Sequence, residues 1–253
     1  MSKSKKLIVG NWKMNPKTLA KAQTTFLLIS KKVTKIASPK VQVVICPPSI
    51  FIPKIISKKV LLGAQNVFQE AEGAYTGAIS ASMLDDAGVS FVIVGHSERR
   101  ARGETNEIVA QKVKAALSFG ITPILCIGEA TRDDSGEYHA FLKKQLTESL
   151  SLIPKTWIPK VVIAYEPVWA IGKNAIREAT PEESEEMAIF IKKILSDLSG
   201  DAHKKTRILY GGSATVNNAE AFLSKGGVDG LLVGRDSLNP ENFTEIIAIA
   251  KRV

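Results

Sequence analysis

The sequence predicts an α/β protein of the (β/α)8 barrel class, with residues 1–253 forming a single domain. Eight short β-rich runs alternate along the chain with longer segments of helical period. Most of these runs are apolar without alternation, as expected for parallel strands buried on both faces. The chain has 253 residues, 45% of them hydrophobic, which suits one large core. An open, doubly wound sheet has the same local pattern, but no G-x-G-x-x-G motif follows the first run.

Each repeat joins one predicted strand to one predicted helix. The strands are predicted at Lys6–Lys13, Val41–Cys46, Val60–Gln65, Phe91–Gly95, Thr122–Ile127, Val161–Tyr165, Thr206–Tyr210 and Gly230–Val233. The helices are predicted at Thr18–Ala37, Ile50–Ile56, Ser82–Ala87, Ile108–Ser118, Tyr138–Ser149, Pro181–Ser199, Asn217–Leu223 and Asn242–Lys251. The sixth helix has the clearest start, because Thr180 suits the N-cap, Pro181 the first helical position and Glu183 a capping box. Gly120 and Gly200 stand where helix C-caps are expected.

The charge is distributed unevenly along the chain. The net charge is +9, and the first 69 residues hold thirteen lysines and no acidic residue. This segment could bind nucleic acid or an anionic membrane surface. The alternative is a solvated lysine face, because Lys17, Lys21, Lys31, Lys32 and Lys35 flank an apolar set on the first predicted helix. The segment has no arginine and little aromatic interleaving, so we favour the solvated face and expect no nucleic-acid partner.

Cysteine content and hydropathy predict the compartment. Cys46 and Cys126 are too few for a disulfide framework and match no metal-ligand spacing, which favours free thiols in a reducing cytoplasm. No apolar run reaches the roughly 18 residues that span a bilayer, so we expect no membrane association. The basic N-terminus precedes only a short apolar stretch interrupted by Asn11, Lys13 and Asn15, so it predicts a strand rather than a signal peptide.

Polar residues stand at the ends of several predicted strands. In a barrel the carboxyl ends of the strands meet at one rim, where the active site lies. The first strand ends with Asn11 and Lys13, while His96 follows the fourth strand and Glu166 the sixth. An ammonium group, an imidazole and a carboxylate at one rim can supply a positive charge, a proton donor and a base.

Glycine-containing loops follow the seventh and eighth strands. Gly211-Gly212-Ser213 and Gly234 offer backbone N–H groups that suit a phosphate. Taken singly, each of these signals has a structural explanation, such as a turn, a cap or a satisfied core histidine. Their occurrence in five repeats at one rim favours a catalytic site.

Five strings together resemble one family. They are Gly10-Asn11-Trp12-Lys13-Met14-Asn15, Gly73-Ala74-Tyr75-Thr76-Gly77, Gly95-His96-Ser97-Glu98-Arg99-Arg100, Tyr165-Glu166-Pro167-Val168-Trp169-Ala170-Ile171-Gly172 and Tyr210-Gly211-Gly212-Ser213. In order and spacing they are similar to those of triosephosphate isomerases, from about Lys6 to Val253. The resemblance implies a TIM barrel that interconverts dihydroxyacetone phosphate and D-glyceraldehyde 3-phosphate, a small phosphorylated triose substrate, without metal or organic cofactor.

The resemblance also implies a role for each matching residue. Glu166 would be the base, and His96, as neutral imidazole, would shuttle protons between the substrate oxygens. Lys13 and Asn11 would bind substrate and stabilise the charge that develops on it. The phosphate would bind at Gly172, Ser213, Gly234 and Arg235, and supporting roles would fall to Ser97, Glu98, Ile171, Tyr210 and Leu232.

The segment between the third strand and its helix implies a homodimer. Gln65 and the loop Asn66–Ala78 resemble the part of the family that inserts into a second subunit, with Thr76 at its tip. The alternative for a loop of this length is a disordered insertion.

Three positions depart from the family pattern. Seven residues separate Gly172 from Thr180, where five are usual. The resemblance implies that the loop after the sixth strand is a lid that closes over the substrate. The extra residues predict either a longer lid or a C-terminal hinge at Lys173-Asn174-Ala175 with an earlier helix start. Ala78 replaces a usual glutamate. Gly234 is followed by Arg235 and Asp236 instead of Gly-Ala.

Arginine disfavours positive φ, so we expect Arg235 at negative φ. Its guanidinium is expected to turn outward to Asp236 or a neighbouring acid. The alternatives are contacts with the phosphate or with the altered lid.

Two other functions remain open from the sequence. The chain could be another phosphate-binding barrel isomerase, although Lys13, His96 and Glu166 together argue against this. It could also bind polyanions through its lysine-rich first quarter, which a steep salt dependence would reveal.

Overall fold

A closed eight-stranded parallel barrel forms the centre of the molecule. A computed structural model describes residues 5–36, 38–133, 135–172 and 175–253. The strands are β1 (Lys6–Asn11), β2 (Val41–Cys46), β3 (Leu61–Ala64), β4 (Val89–Val94), β5 (Thr122–Ile127), β6 (Val162–Tyr165), β7 (Ile208–Tyr210) and β8 (Gly230–Val233). They pair in sequence order, and β1 closes the barrel against β8, with Gly10 opposite Val233. The predicted (β/α)8 barrel is confirmed.

Helices surround the barrel. They are α1 (Leu19–Ile36), α2 (Ala81–Asp86), α3 (Ser97–Arg100), α4 (Asn106–Ser118), α5 (Glu137–Ser149), α6 (Pro181–Ser199), α7 (Val216–Lys225) and α8 (Pro240–Arg252). In the residues that the structure describes, no helix has the length and apolar content needed to cross a membrane.

The continuous apolar character of the strands follows from burial on both faces. In β1, Leu7 and Val9 belong to a cluster that fills the barrel, while Ile8 between them packs in the second cluster with the helices. Each is 0% exposed. Because both faces of the strand are apolar, the chain shows no polar alternation here.

The second repeat differs from its predicted form. The segment predicted as a helix at Ile50–Ile56 is a 3-10 helix at Ser49–Lys54 with Pro53 inside it. Proline has no N–H group to donate to an α-helical ladder, so a regular α-helix is disfavoured here. The short helix α3 was not predicted at all. It forms directly after His96, which caps it.

The boundary signals of the later helices are confirmed. Thr180 and Glu183 form both hydrogen bonds of the capping box at the start of α6. Gly200 follows that helix at φ +57°, and Gly120 follows α4 at φ +74°. The first strand, in contrast, ends at Asn11 rather than at Lys13. The predicted last residue of the first helix, Ala37, lies outside the described residues.

Candidate active site

His96 and Glu166 face each other at the carboxyl ends of β4 and β6. His96 Nε2 lies 3.1 Å from Glu166 Oε1, and the two residues are 7% and 2% exposed. His96 Nδ1 accepts a hydrogen bond from the backbone N–H of Glu98 at 3.2 Å. An N–H group can donate only to an unprotonated ring nitrogen, so the proton of the neutral imidazole is on Nε2. His96 therefore presents a neutral N–H donor to the rim.

The second carboxylate oxygen of Glu166 is held by the backbone of α3. The Ser97 N–H donates to Glu166 Oε2 at 2.9 Å. Two glycines leave room for this glutamate: a Cβ at Gly128 would lie 1.7 Å from the Glu166 carbonyl oxygen, and one at Gly211 would lie 3.0 Å from its Cγ. Both oxygens of Glu166 are thus engaged, and proton abstraction requires at least one of them to be released.

Lys13 has an unusual backbone that its neighbours hold in place. Its φ is +51°, and it is the one non-glycine residue at positive φ in the described ranges. The Asn11 side-chain oxygen accepts the Lys13 N–H at 3.0 Å, which leaves the amide NH2 group as the donor of Asn11. Gln65 Nε2 donates to the carbonyl oxygens of Lys13 at 2.8 Å and of Cys46 at 2.9 Å. The αL conformation turns the chain sharply at the end of β1, so Lys13 leaves the strand direction.

The Lys13 ammonium pairs with Glu98 across the rim. Lys13 Nζ lies 2.6 Å from Glu98 Oε1. Burial alone would raise the pKa of Glu98, but the hydrogen bond and charge of Lys13, with a smaller attraction from Arg102, bring this pKa below its usual range. The pair is exposed enough for water and salt to weaken it, so Lys13 remains available to an anionic ligand.

The loops after β6, β7 and β8 are tied to one another. Ser213 Oγ donates to the Ala170 carbonyl oxygen at 2.9 Å. The Val216 N–H donates to Asp236 Oδ2 at 3.2 Å. Gly234 lies beside the Lys13 side chain, because a Cβ built on it would be 3.8 Å from Lys13 Cε. These contacts join the three candidate phosphate-binding loops, and the loop after β8 lies beside the lysine.

The backbone of Arg235 has the predicted conformation, but its side chain does not pair with Asp236. It begins a 3-10 helix, Arg235–Leu238, and has no positive φ. No ion pair between Arg235 and Asp236 is found within the described ranges, and Asp236 Oδ2 accepts the Val216 N–H at the start of α7. The Arg235 side chain is exposed, and no salt bridge within the described ranges involves it.

The other supporting residues line the same rim. Tyr210 is buried and stacks on Phe222 with ring centroids 3.8 Å apart. Leu232 is 3% exposed, and its Cδ2 would lie 3.7 Å from a Cβ at Gly211, next to the Glu166 side chain. Ile171 closes the 3-10 turn Val168–Ala170 by donating to the Val168 carbonyl oxygen at 3.1 Å. Gly172 follows at φ +79°. Lys173 and Asn174 of the alternative hinge lie outside the described residues, and the earlier helix start that belonged to this alternative is wrong, because α6 begins at Pro181.

Sequence reasoning missed a buried carboxylate beneath this turn. Glu129 Oε1 accepts hydrogen bonds from Trp169 Nε1 at 2.7 Å and from Tyr165 Oη at 2.8 Å. Burial raises the pKa of Glu129 above its usual range, although these donors and Arg132 oppose the rise. The other rim residues were identified as polar residues at or just after the end of a predicted strand. Glu129 stands just after β5, so the same signal could have identified it.

The loop Asn66–Ala78 packs on itself beside the rim. The rings of Phe68 and Tyr75 are 4.7 Å apart, and the Phe68 N–H donates to the Ile79 carbonyl oxygen at 2.8 Å. Residues 70–77, including Thr76, are exposed. Gln65 contacts Lys13 within the same chain.

The part of the chain that the structure describes contains no group of three or more His, Cys, Asp and Glu side chains arranged to hold a metal ion. The residues brought together at the rim are a carboxylate, a neutral imidazole, an amide and an ammonium group.

Comparison with known proteins identifies chains with the same architecture. Residues 6–250 match the family model described as triosephosphate isomerase. The triosephosphate isomerase of Endomicrobium trichonymphae is 41% identical over 98% of this chain and 99% of its own length. That of Dictyoglomus thermophilum is 42% identical, with 96% and 98% covered. The crystal structure of triosephosphate isomerase from Bartonella henselae has a TM-score of 0.84 at 34% identity and covers 97% of this chain and 98% of that one.

Proposed function

The chain belongs to the triosephosphate isomerase family, and from this premise we propose how its own residues carry out the reaction. It is an isomerase that interconverts dihydroxyacetone phosphate and D-glyceraldehyde 3-phosphate, a step of glycolysis and gluconeogenesis. We also propose that residues 1–253 form a single catalytic domain, since the barrel strands extend from Lys6 to Val233 without interruption by a second sheet in the described ranges.

The Glu166–His96 contact carries the proposal. Glu166 removes a proton from the carbon next to the carbonyl group, and the electron pair moves onto the carbonyl oxygen to give an enediolate. His96 Nε2 donates its proton to that oxygen and then takes the proton of the neighbouring hydroxyl group. Glu166 returns its proton to the adjacent carbon. The chain's own acid and base thus balance every proton, and this proposal needs no metal or organic cofactor.

Charge stabilisation and phosphate binding fall to the residues around this pair. Lys13 and the Asn11 amide stabilise the developing negative charge, where removal of one such donor typically costs about 3 kcal/mol. Backbone N–H groups of Gly172, Ser213, Gly234 and Arg235 bind the phosphate, with Lys13 nearby. An enediolate phosphate in water can eliminate phosphate, so the turn after Glu166 closes over the substrate. Tyr210 and Ser213 hold it closed, while Ile171 and Leu232 press on the carboxylate.

A coupled assay with glyceraldehyde 3-phosphate tests the role of Glu166. The substitution Glu166→Asp withdraws the carboxylate by one methylene, and a displacement of about 1 Å can cost about a hundredfold. We expect kcat to fall at least about a hundredfold with little change in KM. Glu220→Asp, on the exposed face of α7, is the matched control. Unchanged turnover of Glu166→Asp would remove this residue from the mechanism.

We further propose that the protein is a homodimer in the cytoplasm. The exposed loop tip at Thr76 would enter the partner near Asn11 and Lys13. Two observations support this: residues 70–77 are exposed, and the Met14 side chain, directly after Lys13, is 93% exposed. Light scattering with parallel activity measurements at micromolar concentration tests it, and a fully active monomer would contradict it.

Cell fractionation tests the compartment, for which the buried free thiols Cys46 and Cys126 are the support.

A further inference from the structure

The described part of the segment that departs from the family pattern, residues 175–179, contacts the turn that follows Glu166. The Ile176 N–H donates to the Trp169 carbonyl oxygen at 2.8 Å. Trp169 belongs to the 3-10 turn Val168–Ala170, which is separated from Glu166 by Pro167 alone. The far end of the altered loop is therefore joined to the turn that carries the catalytic carboxylate.

Arg177 reinforces this connection through its side chain. Its guanidinium carbon lies 4.5 Å from the centre of the Trp169 ring, within the range of a cation–π contact. The same guanidinium makes two parallel hydrogen bonds to Glu183, NH2 to Oε1 at 2.5 Å and NH1 to Oε2 at 3.0 Å. Glu183 is fixed in the capping box of α6. Arg177 thus bridges a rigid helix and the indole.

The indole N–H of Trp169 is also held. Trp169 Nε1 donates to Glu129 Oε1 at 2.7 Å, and the residue is 5% exposed. Arg132 contacts Glu183 at 3.2 Å and approaches the Trp169 ring at 6.0 Å. Trp169 is therefore held by two contacts, one with Glu129 after β5 and one with Arg177 before α6.

We propose that Arg177 is a positioning residue that holds the Trp169 turn in the arrangement in which Glu166 is bound to Ser97 and His96. The inference rests on the proposed role of Glu166 as the base. Both oxygens of Glu166 are engaged in this arrangement, so the carboxylate has to move before it can act. Glu166 and Trp169 belong to one short segment, and a clamp on Trp169 opposes that movement.

The consequence for kinetics has a definite sign. Removal of Arg177 weakens the held arrangement and increases the fraction of molecules competent to close on substrate. Apparent affinity rises in proportion to that fraction. A partly exposed cation–π contact and ion pair of this kind predict a decrease in KM of about threefold to tenfold. If Arg177 instead only kept Glu166 in its catalytic position, removal of Arg177 would lower kcat without lowering KM.

The test compares three variants of the full chain. Arg177→Gln removes the charge and the paired hydrogen bonds, whereas Arg177→Lys keeps the charge. Arg252→Gln, at the end of α8, is the control, because Arg252 is an exposed arginine that also pairs with a glutamate, Glu245. We expect KM for glyceraldehyde 3-phosphate to fall at least about threefold in Arg177→Gln, by a smaller factor in Arg177→Lys and not at all in Arg252→Gln.

A second readout follows Trp169 without any substrate. The emission of Trp169 is the difference between a chain that contains Trp169 and the same chain with Trp169→Phe. Acrylamide quenching of this emission should increase in Arg177→Gln. Unchanged KM and quenching, a fall in kcat alone, or a rise in KM would each overturn the proposal. If the wild-type chain showed no isomerase activity, the proposed function would fail, and the quenching comparison would still decide whether Arg177 holds Trp169.

Discussion

His96 contacts the Glu166 carboxylate and the Glu98 backbone through its two ring nitrogens, with Nε2 3.1 Å from Glu166 Oε1 and Nδ1 3.2 Å from the Glu98 nitrogen. The histidine is the N-cap of α3, so its ring orientation follows from the start of a helix. The capping contact therefore selects the tautomer that the proposed mechanism needs. In that proposal His96 donates from Nε2, and the helix N-terminus supplies the N–H that keeps Nδ1 unprotonated.

The tautomer of His96 can be measured directly. We expect nitrogen NMR at mildly alkaline pH to show a protonated Nε2 and an unprotonated Nδ1 for His96. His203 provides the internal control, because its Nδ1 lies 2.6 Å from the Gly200 carbonyl oxygen and must carry a proton there. A proton on Nδ1 of His96 would contradict the assignment.

Gln65 is expected to support Lys13 from within its own chain. Lys13 is held in the left-handed region, which costs a non-glycine residue roughly 1–2 kcal/mol. Gln65 opposes that cost with two hydrogen bonds, each worth about 1 kcal/mol. We expect Gln65→Leu to lower kcat about tenfold, the factor that about 1.4 kcal/mol produces.

The control for Gln65→Leu is Gln111→Leu, on the exposed face of α4. Light scattering on the same samples separates two explanations. A loss of activity with unchanged particle mass would locate the effect at Lys13. A loss that follows dissociation would instead assign Gln65 to subunit contact, and the prediction for Lys13 would fail.

The sequence predicted those parts of the fold that depend on local pattern. Buried strands were recognisable from uninterrupted apolar runs, and α6 from Thr180 and Pro181, because these signals lie within a few residues. Contacts between distant segments leave no such signal. Gln65 was matched to a subunit contact, yet its amide reaches Lys13 from 52 positions away.

The altered lid shows the same limit at the candidate site. Counting residues between Gly172 and Thr180 revealed two extra positions but left two arrangements open. In the structure α6 begins at Pro181, which excludes the earlier helix start. Arg177 precedes this helix, and its partners Trp169 and Glu183 become its neighbours only once β6 and α6 are packed together.

Lys112 is expected to stabilise the region beneath the rim. Its side chain is 4% exposed and pairs with Glu104, which is 6% exposed, and its Nζ donates to Asn66 at 2.8 Å. Burial alone would raise the pKa of Glu104, but hydrogen bonds from Lys112 and Arg99 lower it below its usual range. Glu104 is therefore charged, and loss of Lys112 leaves it with Arg99 alone.

Breaking a buried pair costs about 3–5 kcal/mol, and we expect the lower end for Lys112→Met because Arg99 stays within 2.6 Å of Glu104. For a chain of this size, about 3 kcal/mol lowers Tm by about 6–12 °C. Lys114→Met, an exposed position on the same helix, is the matched control. Denaturant unfolding that gave both variants the same free energy of unfolding would show that the pair adds nothing.

Arg235 provides the last prediction, because the phosphate site needs backbone donors at this turn rather than a particular side chain. A main-chain N–H survives any substitution whose backbone angles are allowed, and Arg235 is not at positive φ, so glycine can adopt its conformation. The exposed guanidinium has no salt-bridge partner within the described ranges, so its removal breaks no ion pair there.

We therefore expect Arg235→Gly to change KM by less than about threefold and to leave kcat nearly intact, since Lys13 and the backbone supply the attraction for phosphate. Arg235→Lys, which keeps the charge, should behave like the wild type. A rise in KM of about tenfold or more in the glycine variant, larger at low salt and partly restored by lysine, would show instead that Arg235 binds the phosphate directly.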